Sequence, residues 1–161
     1  MASLKSLAKD TAIYGLSSIV GRFLNYLLVP LYTAKMSAES GGYGVITNMY
    51  AYTALLLVIL TYGMETTFFR YANKEGEDAR RVYSTTLWMV AATSAIFVLL
   101  VLAFIHPISS FMGYADHPSY VWVMAATVAL DAFQCIPFAY LRYQKRPIKF
   151  ASLKLLFIVL N

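Results

Sequence analysis

The sequence has little charge, one cysteine and two histidines, and each scarcity excludes a class of protein. Charged residues make up 13% of its 161 residues and hydrophobic ones 60%, whereas soluble domains are about one quarter charged. The single cysteine, Cys135, excludes an internal disulfide framework. His106 and His117 have no further ligands at metal-binding spacing, so no metal site is predicted and both are interpreted as interfacial.

Enzyme motifs are missing as well. The chain has no HExxH, no GxxxxGK[ST], no GxSxG and no carboxylate pair close in sequence within its apolar stretches. We therefore expect neither catalysis nor a bound cofactor. The net charge of +5 does not predict a nucleic-acid partner, because the basic residues lie between apolar stretches and not along one solvated face.

What the chain does have is a series of five apolar stretches that alternate with short polar segments. A helix rises about 1.5 Å per residue and must cross about 30 Å of hydrocarbon, so four stretches are long enough to span a bilayer. The four predicted spans are residues 11–33, 43–64, 84–105 and 120–141. The segment 65–81 holds too many charges to lie in lipid and is predicted to be a loop or a surface helix.

The fifth apolar stretch, residues 150–161, is too short to span a bilayer. We therefore expect the natural chain to continue beyond it. The predicted fold class is all-α: a polytopic transmembrane helical bundle with four full spans and a truncated fifth, embedded in the lipid bilayer.

Basic residues predict the orientation of these spans. One predicted side holds ten of them and the other holds Lys35 alone; the ten are Lys5, Lys9, Arg70, Lys74, Arg80, Arg81, Arg142, Lys145, Arg146 and Lys149. Loops rich in lysine and arginine remain in the cytoplasm. The N-terminus is therefore predicted to be cytoplasmic.

Two ionisable residues fall inside predicted spans, where lipid would oppose their charge. Arg22 lies near the middle of the first span, on a helical stripe with Ser18 and Asn25. Asp131 lies in the fourth span and shares a face with Gln134. Two interpretations stay open: Arg22 and Asp131 line a polar cavity, or they form a structural pair between helices.

Glu65 and Arg70 lie at the predicted cytoplasmic end of the second span. Glu65 is a candidate for a gate or for coupling to an ion. Arg70 is a candidate for binding a phosphate, because its guanidinium presents a planar fork of donors. The alternative is that Glu65 is a solvated helix end and that Arg70 serves only the orientation of the chain.

Several short motifs occur in a characteristic order. Residues 10–25 read DTAIYGLSSIVGRFLN and are followed by PLYT at 30–33, YGV at 43–45, YGMET at 62–66, FFR at 68–70 and PFAYLR at 137–142. This series resembles the Wzx-type oligosaccharide flippases of the multidrug/oligosaccharidyl-lipid/polysaccharide exporter superfamily. Residues 35–42, which include a double glycine, depart from that pattern.

The resemblance implies that the chain is part of the N-terminal lobe of a MATE-like transporter, whose two lobes open a central cavity to either side in turn. The implied cargo is an undecaprenyl-pyrophosphate-linked glycan, flipped across the bacterial inner membrane for surface polysaccharide or O-antigen, with a proton or sodium gradient as the possible driving force. Substrate-cavity candidates are Arg22, Asn25, Arg70, Asp131 and Gln134. The partners implied are the lipid-linked glycan and the C-terminal lobe of the same chain.

Two other functions remain open at this point. A cation-coupled multidrug exporter of the same superfamily would use Asp131 to bind the coupling ion, although Arg22 would repel a cationic drug. A membrane scaffold that transports nothing would keep Arg22 and Asp131 as a structural pair.

Overall fold

The computed structural model describes residues 8, 11–16, 19–20, 23, 27, 29–30, 34 and 42–160. Within these residues the secondary structure is helical and contains no strand, which confirms the all-α fold class. Much of the first predicted span, including Arg22 and Asn25, lies outside the described residues. Residues 11–16 of that span are described and helical.

Between residues 42 and 160 the chain forms helices joined by short turns. In chain order they are α1 (Gly42–Thr61), α2 (Met64–Ala72), α3 (Ala79–Ala103), α4 (Ile105–Phe111), α5 (Pro118–Tyr143) and α6 (Pro147–Leu160). By contacts, the chain divides into two compact units. We call residues 47–139 the central unit and residues 1–46 with 140–161 the terminal unit.

The core of the central unit is apolar and draws on four helices. It consists of Leu60 from α1, Met64 from α2, Val90 and Val101 from α3, and Val121, Met124, Ala125, Val128, Ala132 and Ile136 from α5. On α5 these residues recur at three- and four-residue steps, which places them on one helical face. That buried face fixes the rotation of α5 and thereby the direction of its polar residues.

Among the residues that the structure describes, three helical segments are long and apolar enough to cross a membrane: Gly42–Ala72, Ala79–Ala103 and Pro118–Tyr143. They correspond to the second, third and fourth predicted spans. Large apolar side chains on them are exposed, among them Trp88 at 73%, Val58 at 71% and Leu130 at 68%. So much exposed apolar surface is unfavourable in water and is suited to contact with lipid.

The charged segment 65–81 is more ordered than a loop. Its first part belongs to α2, which follows α1 after a turn at Tyr62 and Gly63, both with positive φ. Phe68 of α2 is fully buried, and its ring meets the ring of Tyr83 in α3 edge to face at 6.5 Å. Of the two predicted alternatives, the helix is therefore correct for Met64–Ala72.

Helix α3 covers nearly all of the third predicted span, residues 84–105, and begins several residues before it. Helix α3 begins at Ala79 and not near residue 84, because the Asp78 carboxylate accepts a hydrogen bond of 2.9 Å from the Arg80 backbone N–H and caps the helix. After α3 ends at Ala103, the short helix α4 continues past His106 and Pro107, where the third helix was expected to end, and the polar turn expected around Gly113 and Asp116 follows it. Proline is tolerated in the first turn of a helix, so Pro107 does not prevent α4.

Helices α4 and α5 end in the same hydrogen-bonding pattern but with different residues. After α4, Gly113 has φ +81°, and the backbone N–H of Tyr114 donates to the Ser109 carbonyl at 2.7 Å. After α5, Lys145 has φ +53°, and the N–H of Arg146 donates to the Leu141 carbonyl at 3.1 Å. Glycine is the usual residue at this left-handed position, and a side chain there costs roughly 1 kcal/mol or more.

Replacing Lys145 with glycine is therefore expected to raise the free energy of unfolding of the full-length protein by about 1 kcal/mol. Denaturant unfolding in detergent micelles measures this change. The control is Lys145→Ala, which removes the same charge but keeps the β-carbon and its strain. An equal gain for Lys145→Ala would show that charge, and not backbone strain, sets the effect.

Candidate functional site

Asp131 and Gln134, predicted to share a helical face, form a hydrogen-bonded pair on α5. The Gln134 side-chain amide, through Nε2, donates to Asp131 Oδ1. Both residues are half-buried. The amide oxygen Oε1 of Gln134 is buried and accepts no hydrogen bond from any residue that the structure describes.

This pair has a distinct chemical character, because it presents oxygen acceptors and a negative charge in the middle of a long apolar helix. A buried acceptor without a donor costs about 1–3 kcal/mol. A hydroxyl group or a cation brought to the pair would remove that cost. Thr127, one turn earlier on α5, is different because its hydroxyl already donates to the Val123 carbonyl at 2.9 Å.

Glu65 and Arg70 both belong to α2 but lie on different sides of it. Glu65 is in the first turn and half-buried, whereas Arg70 is in the last turn and exposed. Five residues correspond to about 140° around a helix with 3.6 residues per turn. The order of the charges suits the dipole of α2, since an acid at the N-terminus and a base at the C-terminus are each stabilised.

Arg22 and Asn25 lie outside the described residues. Their position relative to Asp131, and the ion pair considered between Arg22 and Asp131, remain predictions from the sequence.

The terminal unit holds a group of residues that we call the basic corner: Tyr14, Arg142, Phe150 and Lys154. The Phe150 side chain in α6 is only 4% exposed. The Arg142 guanidinium carbon lies 5.9 Å from the centroid of its ring and the Lys154 Nζ atom 5.7 Å from it. The ring of Tyr14 meets the Phe150 ring edge to face at 5.0 Å and 80°.

Both cations of the basic corner are partly withdrawn from solvent. Arg142 and Lys154 are half-buried, and the Nε atom of Arg142 is inaccessible. By contrast, the neighbouring Lys145, Arg146 and Lys149 are exposed. The partial burial distinguishes Arg142 and Lys154 from these exposed neighbours.

Sequence reasoning missed this corner, although a signal was present. Lys154 is an ionisable residue inside the apolar stretch 150–161, which is the same signal that singled out Arg22. Arg142 was considered for the orientation of the chain and as the last residue of the PFAYLR motif, but not as part of a site. The packing of both side chains on Phe150 depends on how the chain reverses between α5 and α6.

A third group of interacting side chains lies near the first turns of α1 and α5. The Asn48 side-chain amide donates to the Tyr114 hydroxyl at 2.9 Å. Tyr120 meets Tyr114 edge to face at 6.1 Å and stacks on His117 at 5.0 Å. His117 is thus part of an aromatic group beside the start of α5, and its interpretation as interfacial stays a prediction.

The fold and these groups define the class of the protein: a multi-pass helical membrane protein with a few polar groups along its apolar helices. A comparison with protein families then gives the particular assignment. The model of the family described as polysaccharide biosynthesis protein matches residues 7–152, and the chain belongs to this family. No curated protein and no solved structure matches the chain significantly.

The resemblance to the Wzx-type flippases is consistent with this family, and the predicted membership of a polysaccharide-exporting group is confirmed at the family level. The family supports a membrane export role in polysaccharide biosynthesis in general.

Proposed function

We propose that the full-length protein translocates undecaprenyl-pyrophosphate-linked oligosaccharide repeat units across the bacterial cytoplasmic membrane. The observation that carries this proposal is the family match over residues 7–152. The matched residues include three described helical segments that are long and apolar enough to span the bilayer. The translocated repeat units are used to build surface polysaccharide or O-antigen. In this proposal the N-terminus of the chain faces the cytoplasm.

The chemistry of such a cargo explains why polar groups occur on apolar helices. A polyprenyl tail can remain in lipid during translocation, but sugar hydroxyls and a diphosphate cannot enter hydrocarbon without partners. The acceptors of Asp131 and Gln134 suit sugar hydroxyls or a coupling cation. We assign the diphosphate to Arg22 with Asn25, and to Arg70 near the cytoplasmic mouth.

Transport also requires an energy source and a closed cavity around the cargo. Glu65 is the candidate for a gate or for coupling to a proton or sodium gradient. The other wall of the cavity would come from a C-terminal lobe of the same chain. In this account the protein is a transporter and not an enzyme.

Complementation tests the proposal in a strain that lacks its own flippase for the matching glycan. The full-length protein is expected to restore surface polysaccharide, and Arg22→Ala is expected to abolish it at equal abundance in the membrane. Arg22→Lys is the matched control because it keeps the positive charge.

Three outcomes count against parts of the proposal. No restoration by the wild type contradicts the flippase assignment for that glycan, and a cation-coupled drug exporter is then tested by resistance to organic cations. Full restoration by Arg22→Ala contradicts a role of Arg22 in the cavity. Absence of both polysaccharide export and drug resistance favours the non-transporting scaffold.

A further inference from the structure

We propose that a groove between α3 and α5 holds the polyprenyl tail of the lipid-linked cargo. This inference rests on the proposed function and deepens it, because it assigns a place to the part of the cargo that stays in lipid. The groove lies within the central unit and has a volume of about 460 Å³, a size typical of ligand-binding clefts. Its lining includes Ala91, Ser94 and Ala95 of α3 and Ala129, Leu130 and Phe133 of α5.

The first argument is the position of the groove along the two helices. Ser94 lies near the middle of α3 and Ala129 near the middle of α5. When both helices span a bilayer, the groove therefore lies at the level of the hydrocarbon core and not of the headgroups. Leu99 and Leu130, which also line the groove, are mostly exposed, so it opens onto the apolar surface of the helices. An occupant at this depth is a hydrocarbon.

The second argument is the shape of the lining, which is apolar except for Ser94. Ala91, Ser94 and Ala95 are separated by steps of three and four residues, so their short side chains share one face of α3. A transmembrane helix is about 10–12 Å across and would fill the volume of the groove within roughly one turn. A hydrocarbon chain is thinner and can follow the groove along both helices, so the groove suits a chain better than a helix.

The third argument concerns the hydroxyl group of Ser94. This side chain is only 4% exposed, and its Oγ atom has no hydrogen-bond partner among the residues that the structure describes. On the same helix, the hydroxyls of Thr86 and Thr93 each donate to the carbonyl four residues earlier, at 2.8 and 3.0 Å. A buried donor without an acceptor is unfavourable. Ser94 therefore favours an occupant that can accept a hydrogen bond.

This hydroxyl distinguishes a polyprenyl chain from a saturated acyl chain. A saturated chain offers no acceptor at all. A polyprenyl chain carries a double bond in every isoprene unit, and π electrons accept weak hydrogen bonds. Because the double bonds recur along the chain, one of them can lie beside Ser94 as the tail moves through the groove.

Photocrosslinking of the full-length protein in lipid nanodiscs tests the proposal. One probe is a polyprenyl diphosphate with a diazirine in its tail, and the other is phosphatidylglycerol with a diazirine in a saturated acyl chain. Mass spectrometry of the labelled peptides locates the crosslinks. We expect the polyprenyl probe to label the groove residues of α3 and α5. Excess unlabelled polyprenyl diphosphate is expected to suppress this labelling, and excess phosphatidylglycerol is not.

Two variants and one matched control locate the tail in the groove. Ala95→Leu fills the groove and is expected to lower the labelling about tenfold, because overpacking opposes the chain. Ser94→Ala keeps the shape but removes the hydroxyl, and a decrease of about two- to threefold is expected for a weak hydrogen bond. The control Ala92→Leu makes the same change at an exposed alanine of α3 that does not line the groove, and it should label like the wild type.

Several results would overturn the proposal. These are an equal loss in Ala92→Leu, no loss in either groove variant, or equal labelling of the groove by the saturated probe. Disulfide crosslinking of two copies through Ser94→Cys would assign the groove to an interface between copies and would also overturn it. If Ala95→Leu does not accumulate in the membrane, Ser94→Ala alone decides, since it leaves the packing unchanged.

The labelling does not depend on transport. Failure of complementation by the wild type, with labelling of the groove retained, would contradict the proposed function and leave the tail site standing. Restored polysaccharide without labelling of the groove would overturn the tail site and leave the proposed function standing.

Discussion

Replacing Phe68 with alanine is expected to lower the free energy of unfolding of the full-length protein by about 3–5 kcal/mol. The Phe68 side chain is fully buried. Its ring meets those of Phe69 and Tyr83 edge to face, at 5.5 and 6.5 Å. Removing the ring leaves a cavity between α2 and α3. Denaturant titration of the purified protein in mild detergent measures the loss.

The control for this prediction is Phe111→Ala, which removes the same side chain from a position that is 90% exposed. An exposed substitution away from special contacts is expected to change stability by no more than about 0.5 kcal/mol. If Phe68→Ala also stays within that range, α2 is not held against α3 by this ring, and the helix would be only loosely attached at the membrane surface.

Replacing Asp131 with asparagine is expected to reduce polysaccharide export about tenfold or more at unchanged protein abundance. Asparagine keeps an oxygen that can accept the hydrogen bond from Gln134, so the local geometry of α5 is retained. What is lost is the negative charge, and a hydrogen bond to a charged group contributes about 1.5–3 kcal/mol. The initial rate of surface-polymer appearance in the complemented strain measures the effect.

Two variants of α5 separate the parts of this prediction. Gln134→Leu keeps the carboxylate but removes the amide, and a smaller decrease in export is expected. Thr127→Val is the matched control, since the Thr127 hydroxyl is already bonded within its own helix, and it should export normally. Normal export by Asp131→Asn would show that the charge has no transport role, and a fall in protein abundance alone would make it a structural group.

The sequence predicted the long helices because their apolar stretches exceed the thickness of a bilayer. It also predicted that Asp131 and Gln134 share a face, because a spacing of three residues is local helix geometry. The start of α3 at Ala79 was not predicted, since Asp78 was counted among the charges of a loop or surface helix and not considered as a cap. Helix α4 was missed because Pro107 was interpreted as an end, although proline fits a first turn.

Contacts between distant parts of the chain could not be predicted in this way. The hydrogen bond from Asn48 to Tyr114 joins residues 66 positions apart, and no periodicity in the sequence indicates it. Likewise, the packing of Arg142 on Phe150 depends on the reversal of the chain at Lys145, whose positive φ no local rule favours for a lysine. The presence of Lys154 in an apolar stretch was visible, but its partner ring was not.

The most direct test of the central claim is translocation by the purified full-length protein in vesicles. A polyprenyl-diphosphate-linked oligosaccharide is placed in the vesicle membrane, and a glycan-cleaving enzyme added outside reports the fraction that is accessible. The account predicts that the accessible fraction rises with time from about half, the share expected for a lipid distributed equally over both leaflets, toward completion only when the protein is present. An accessible fraction that stays the same with and without the protein, under each imposed proton or sodium gradient, would contradict it.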